Sequence, residues 1–164
     1  MAKTPPSRRP DGRGLRVAVL RSAFNPGVVA GLTRGAVEAL REMGAAPGSI
    51  TTLDVPGAFE LPLAARAAAA SGRFDAVVAL GAVIRGETDH YEHIAREAAS
   101  GLAAVSRETG VPVGFGVLTV VDEAQARARS GPGPQNKGAE AARAAVAMVE
   151  VLSALRPRRR RTRR

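Results

Sequence analysis

Short apolar runs alternate with amphipathic segments along most of the chain. The apolar runs have the length and the Val/Leu content of buried strands, and they cover 15–20, 49–55, 74–84 and 111–120. In the segments between them, apolar residues recur about every three to four positions, which is typical of helices with one buried face. Those segments predict helices at 28–44, 59–70, about twenty residues ending near Gly110, 122–129 and 138–155.

The predicted element order is β-α-β-α-β-α-β-α-α. Strands that alternate with helices are joined by right-handed crossovers into a parallel sheet with helices on both faces. We therefore predict an α/β domain over 15–155, with three layers (α/β/α) and a four-stranded parallel sheet of the flavodoxin-like kind. The segment before the first strand is long enough to add to the exposed sheet edge of a neighbouring subunit.

Composition excludes several classes of protein. The 164 residues are 45% hydrophobic and 24% charged, which is ordinary for one globular domain. The absence of cysteine excludes disulfide scaffolds, zinc–thiolate sites and cysteine nucleophiles, and two histidines leave little room for a metal site. No apolar run reaches the length of a membrane span, and none follows the basic N-terminal residues. We expect a cytoplasmic protein.

The formal net charge of +9 comes from the two ends of the chain. Residues 156–164 include seven arginines, and residues 1–14 are also basic. We expect both tails to lack fixed structure unless a partner holds them. Nucleic acid is an expected partner only through these tails, by charge alone.

Candidate site residues lie where the predicted strands end. Phe24 follows the first strand, 57–60 follow the second and 82–90 end the third, while Phe115 lies on the fourth. Ligands of open parallel sheets bind at the carboxyl ends of the strands, so the residues predict a single pocket at this rim. Phe24, in a loop rich in Pro and Gly, is a candidate stacking platform.

Gly86, Glu87 and Thr88 precede a predicted helix, whose free N–H groups and dipole attract phosphate. The alternative is an ordinary N-cap at Thr88 beside a solvated Glu87. His90, in the first turn, is a candidate for proton transfer, or else a surface or packed histidine. His90, His93 and Glu97 share a helical face, but their spacing differs from that of the two-histidine zinc helix. Two basic residues, Arg129 and Lys137, weakly suggest an anionic ligand.

Several stretches together resemble the 6,7-dimethyl-8-ribityllumazine synthase family. The matching segments are Phe24-Asn25 with the helix containing GAVEAL, VPGAFELPLAA (55–65), ALGAVIRGETDHYEHIAREAASGL (79–102), PVGFGVLTV (112–120) and NKGAEAA (136–142). The resemblance implies condensation of 5-amino-6-(D-ribitylamino)uracil with 3,4-dihydroxy-2-butanone 4-phosphate, with loss of phosphate and water and without a cofactor or metal. It also implies homopentamers, decamers or 60-subunit shells, with active sites between neighbouring subunits.

The resemblance assigns roles to individual residues. Phe24 would stack on the pyrimidine and Glu60 would bind the ribityl hydroxyls, while His90 would transfer protons. The other residues on the pyrimidine and ribityl side would be Ala58, Phe59, Ala82, Val83, Ile84 and Phe115. Phosphate would be bound by Gly86, Glu87, Thr88 and Arg129, with Lys137 close by. Phe115 and Arg129 would come from the neighbouring subunit.

Two alternatives remain on sequence alone. One is an inactive member of this fold serving as a basic-tailed scaffold or nucleic-acid-binding assembly. The other is a relative that acts on a different aminopyrimidine. Phe24, Glu60, Glu87, His90 and Arg129 argue against a scaffold, because a scaffold needs none of them.

We predict that deleting 156–164 leaves the implied activity unchanged. No residue there matches a site position, and consecutive arginines repel one another and remain solvated. Turnover of the truncated and full-length proteins checks this. A truncated protein that keeps its fold and assembly but loses activity would assign the tail to the site.

Overall fold

A computed structural model describes residues 8–156. Its strands are β1 (Val17–Ser22), β2 (Ile50–Val55), β3 (Ala76–Ile84) and β4 (Val113–Val120). Its helices are α1 (Pro26–Glu42), α2 (Leu61–Ala70), α3 (His90–Thr109), α4 (Glu123–Ser130) and α5 (Lys137–Leu155). The predicted element order is therefore confirmed.

The four strands form one parallel sheet in the order β2-β1-β3-β4. From β1 the chain passes first to β2 on one side, and then back across to β3 on the other side. This reversal leaves a crevice between the carboxyl ends of β1 and β3, where open α/β sheets bind their ligands. The strand order and the helices on both faces confirm the three-layer, flavodoxin-like α/β/α fold.

The sheet is buried on both faces, as its apolar runs predict. Helices α1, α4 and α5 cover one face, where Leu32 and Leu40 pack against Val17, Val19 and Val78. Helices α2 and α3 cover the other, where Leu61 and Leu102 pack against Leu20 and Val77. Central strand β3 is buried along almost its whole length, so its carboxyl end is held firmly beneath the crevice.

Helix starts differ from the predicted ones by a few residues. Helix α1 begins two residues earlier than predicted, at Pro26, because proline lacks an N–H that the first helical turn does not need. Helix α2 begins at Leu61, because residues 58–60 form a separate 3₁₀ turn. That turn places residues 58–60 at the rim of the sheet rather than inside a helix.

The described part of the N-terminal tail contacts the rest of the chain. The N–H of Gly12 donates to the carbonyl of Met43 at 2.7 Å, and the N–H of Asp11 donates to Glu150 at 2.6 Å. A side-chain hydrogen bond from Arg13 lowers the pKa of Asp11 to about 2. Residues 8–14 are thus attached to α1 and α5 by hydrogen bonds, unlike the expected unstructured tail.

Residues 1–7 and 157–164, on which the other expectations for the tails fall, lie outside the described residues. Between residues 8 and 156, none of the helices has both the length and the apolar character needed to span a bilayer.

Candidate active site

A cavity of about 390 Å³ opens at the crevice between β1 and β3. Three loops line it, one after each of β1, β2 and β3, together with the first turns of α3. The lining residues are Phe24, Asn25, Gly57, Ala58, Phe59, Glu60, Ala82, Val83, Ile84, Gly86, Thr88, His90, Tyr91 and Ile94. The sequence placed most of these residues at one rim, and the structure brings them around one cavity.

The loop after β1 is shaped by Asn25. Its φ is +55°, in the left-handed region that non-glycine residues seldom adopt. Its side-chain nitrogen donates to the carbonyl oxygen of Ala82 at 2.9 Å, which ties this loop to the end of β3. The chain turns sharply here into α1, and Phe24 projects at the cavity mouth with 69% of its surface exposed. A free aromatic face at this position is suited to stacking on a planar ring.

Gly57 lies between the Phe24 ring and the Glu60 carboxylate. A Cβ added at Gly57 would be 3.4 Å from the Phe24 ring and 3.0 Å from Oε2 of Glu60. The missing side chain therefore lets an aromatic face and a carboxylate line the same small volume. A planar ring with hydroxyl groups attached fits this pairing, since carboxylate oxygens accept hydrogen bonds from hydroxyls.

The loop after β3 presents backbone to the cavity. Helix α3 begins at His90, and the side chain of its N-cap residue, Asp89, accepts no hydrogen bond from the first turn. Thr88 Oγ1 accepts only a long hydrogen bond, with an N···O distance of 3.5 Å, from the N–H of His90. N–H groups at a helix start that lack a strong hydrogen-bond partner attract anions. His90 is exposed at the cavity wall, so its ring is accessible to a ligand. Glu87 lies in the same loop, but it is not among the residues lining the cavity.

Phe115, Arg129 and Lys137 line a separate cavity of about 300 Å³ beside edge strand β4. Phe115 is 47% exposed there. The Arg129 guanidinium donates to the carbonyl of Gln125 at 3.0 Å, and Lys137 pairs with Glu140 at 2.6 Å. Lys137 therefore has a carboxylate partner within its own helix, so its position at a helix start does not require an anionic ligand.

The expectation that all the rim residues form one pocket is wrong for Phe115. It pairs with Ala79, whereas the first cavity lies at Ala82 and beyond, three residues further along β3. At about 3.3 Å per strand residue, that offset is about 10 Å. Within the described residues, Phe115, Arg129 and Lys137 thus form a second group beside the edge strand β4.

Tyr91 and Ile94 are cavity residues that sequence reasoning missed. Both are partly buried and pack against the core beneath α3. Apolar residues on the buried face of a helix carry no signal that separates a cavity wall from the core. The Arg85 guanidinium lies over the Tyr91 ring at 5.8 Å from its centre, a cation–π contact that links the loop to α3. Across residues 8–156, no three His, Asp or Glu side chains are grouped so as to hold a metal ion.

Comparison with known proteins identifies the family. The model of the family described as 6,7-dimethyl-8-ribityllumazine synthase matches residues 14–153. A protein of that name from Edwardsiella ictaluri (strain 93-146) is 52% identical over 142 residues, which cover 86% of this chain and 91% of the relative.

This chain belongs to the 6,7-dimethyl-8-ribityllumazine synthase family. The match that places it among the lumazine synthases includes every strand and all residues of both cavities. Among solved structures, the chain is similar to a de novo designed Rossmann-fold protein. The two sequences are 18% identical, and the match covers 69% of this chain and 91% of the designed protein, with a TM-score of 0.40.

Proposed function

We propose that this protein condenses 5-amino-6-(D-ribitylamino)uracil with 3,4-dihydroxy-2-butanone 4-phosphate to 6,7-dimethyl-8-ribityllumazine, releasing phosphate and water. The observation that carries this proposal is the family match over 14–153, which includes all three loops of the larger cavity. The cytoplasm is its expected compartment.

The larger cavity supports binding of the aminopyrimidine. The exposed Phe24 ring offers a stacking face, and Glu60 accepts hydrogen bonds from the ribityl hydroxyls. Ala82, Val83 and Ile84 end a buried strand, so their backbone groups are held in fixed positions for the edge of the pyrimidine. Ala58 and Phe59 complete the wall on the ribityl side.

The phosphate is proposed to bind where two subunits meet. The loop of Gly86, Glu87 and Thr88 supplies N–H groups at the start of α3. The lining of the larger cavity includes no arginine or lysine, so the cavity itself supplies no cationic side chain for a phosphate. Arg129 of a neighbouring copy, with Lys137 beside it, supplies that charge if the free edge of β4 packs over the cavity mouth.

We propose a homopentamer, with decamers or 60-subunit shells as further assemblies of the same unit. A pentamer would cover the β4 edge and the half-exposed Phe115, both of which are exposed in the single subunit. It would also bring the two cavities together, so that each active site takes Phe24 and His90 from one copy and Phe115 and Arg129 from the next.

The chemistry needs proton transfer and charge stabilisation. The 5-amino group of the pyrimidine attacks the ketone carbon, and the carbinolamine loses water to give an imine. Elimination then removes a proton from the hydroxyl-bearing carbon and breaks the carbon–oxygen bond to the phosphate, which leaves with the bonding electron pair. The resulting enol becomes a ketone, the ribitylamino nitrogen attacks it, and loss of a second water closes the new ring. His90 moves protons in these steps, and Arg129 holds the developing phosphate charge. No electrons are transferred to or from an external acceptor, so the proposal includes no redox cofactor.

The assay of function mixes purified protein with both substrates and follows the absorbance and fluorescence of the lumazine. We expect lumazine formation that depends on the protein and on both substrates. No product would contradict the proposal and favour the scaffold alternative, whereas product from another aminopyrimidine alone would favour the altered-substrate alternative.

We predict that Arg129→Ala weakens use of the phosphate substrate far more than use of the pyrimidine. Loss of one charge-assisted contact to a desolvated phosphate raises the KM for the butanone phosphate by about 30-fold or more. Arg127→Ala, two residues away on α4 and paired with Glu123 at 2.7 Å, is the matched control. Equal effects on both substrates would contradict the role given to Arg129.

We predict that His90→Ala slows turnover by about ten- to a hundredfold without abolishing it. Proton transfer by a positioned side chain typically accelerates a reaction by about 10²–10⁴-fold. In an open cavity, water replaces part of this acceleration, and the remaining residues still hold the two substrates in alignment.

His93→Ala, one helical turn further along, is the control for His90 and should leave the rate unchanged. A chelator added to the wild type should have no effect, whereas inactivation by the chelator would support a metal site. If His90→Ala keeps a rate within twofold of wild type in an intact assembly, His90 does not transfer the proton.

A further inference from the structure

Asn136 is a buried amide at the junction of α4 and α5. The residue is 4% exposed, and its side-chain oxygen accepts a hydrogen bond from the N–H of Ala139 at 3.0 Å, which caps α5. Its side-chain nitrogen lies 3.1 Å from the carbonyl oxygen of Gly31 and 3.0 Å from those of Ser130 and Gly131. One amide therefore joins α1, the end of α4 and the start of α5.

The surroundings fix which way this amide points. An N–H donor lies on one side and three carbonyl oxygens lie on the other, so only one orientation satisfies all four groups. Two amide hydrogens are shared among three acceptors. Since a buried carbonyl left without a donor is costly, the arrangement resists displacement of the loop.

Two glycines of α1 make this contact sterically feasible. A Cβ at Gly31 would lie 2.3 Å from the carbonyl oxygen of Ser130, and one at Gly35 would lie 2.2 Å from the side-chain oxygen of Asn136. The loop after α4 therefore lies directly against the backbone of α1. Its position is set by the helix itself rather than by flexible side chains.

The residues next to these contacts are the basic groups proposed to bind phosphate. Arg129 precedes Ser130, whose carbonyl accepts from Asn136, and Lys137 follows Asn136 directly. Arg129 and Lys137 line the same cavity beside β4. We propose that Asn136 is a positioning residue, which holds Arg129 and Lys137 at the spacing needed to bind the phosphate of the substrate; this rests on the proposed function.

Asn136→Asp separates this role from helix capping. The carboxylate has nearly the same shape and still accepts from the N–H of Ala139, but it has no N–H to donate to the three carbonyls. We expect the KM for the butanone phosphate to rise about tenfold, because small displacements of binding groups are costly, while the KM for the pyrimidine stays within twofold. In an Arg129→Ala background, the same substitution should have a smaller effect than it has alone.

The control is Val146→Ala, a buried position on α5 ten residues beyond Asn136. It should lower stability and leave the ratio of the two KM values unchanged. Asn136→Ser, which keeps a capping hydroxyl without the amide, replaces Asn136→Asp if that variant does not fold. The oligomeric mass of each variant is measured alongside the kinetics.

If the wild type is active and Asn136→Asp raises both KM values equally, or raises neither, the role of Asn136 is overturned. A wild type that makes no lumazine would instead overturn the proposed function. Binding of inorganic phosphate, measured by calorimetry on wild type, Asn136→Asp and Val146→Ala, then decides the matter. Weaker binding by Asn136→Asp alone supports the role, and equal binding by all three, or none by any of them, overturns it.

Discussion

The reversal of the chain between β1 and β3 is the constraint on which the site depends. Because β2 lies on one side of β1 and β3 on the other, the loops after β1 and β3 diverge and leave a crevice. One hydrogen bond, from Asn25 to the carbonyl of Ala82, spans this crevice at 2.9 Å. It ties the loop that carries Phe24 to the carboxyl end of β3.

In the proposed function, the same sheet order leaves the site incomplete within one chain. Strand β4 is an edge strand, and the exposed Phe115 and the basic Arg129 lie along it, away from the larger cavity. The aromatic and carboxylate groups that fit a hydroxylated ring therefore lie at the crevice between β1 and β3. The cations that fit a phosphate lie beside the edge strand β4. In the proposed assembly, the β4 edge of one copy packs over the crevice of the next. This packing would account both for assembly and for the meeting of the two substrates.

The fold could be predicted from the sequence because its signals are local. Runs such as 74–84 indicate buried strands, and breakers such as Pro56-Gly57 indicate where a strand ends at the rim. The left-handed turn at Asn25 and the contacts of Asn136 could not be predicted this way. The hydrogen bond between Asn136 and Gly31 joins residues 105 positions apart, and no periodicity within a segment reports such a pairing.

The candidate site was predicted in part. The predicted strand ends placed Phe24, Glu60 and His90 at the same edge of the sheet, and the structure has all three around one cavity. Residue order also suggested that Phe115 joins them, but a residue's position within its strand depends on register, which the sequence does not show. The proposal that Phe115 and Arg129 complete the site of a neighbouring copy comes from the family resemblance.

The central claim, that each active site combines two subunits, is tested most directly by mixing two strongly impaired double variants. One carries Phe24→Ala and His90→Ala, and the other carries Phe115→Ala and Arg129→Ala. When the two variants assemble at random in equal amounts, about a quarter of the interfaces combine an intact Phe24 and His90 with an intact Phe115 and Arg129. About a quarter of wild-type activity should therefore return. If mixed assemblies, confirmed by mass, show only the residual activity of the separate variants, the site lies within one subunit and the account is wrong.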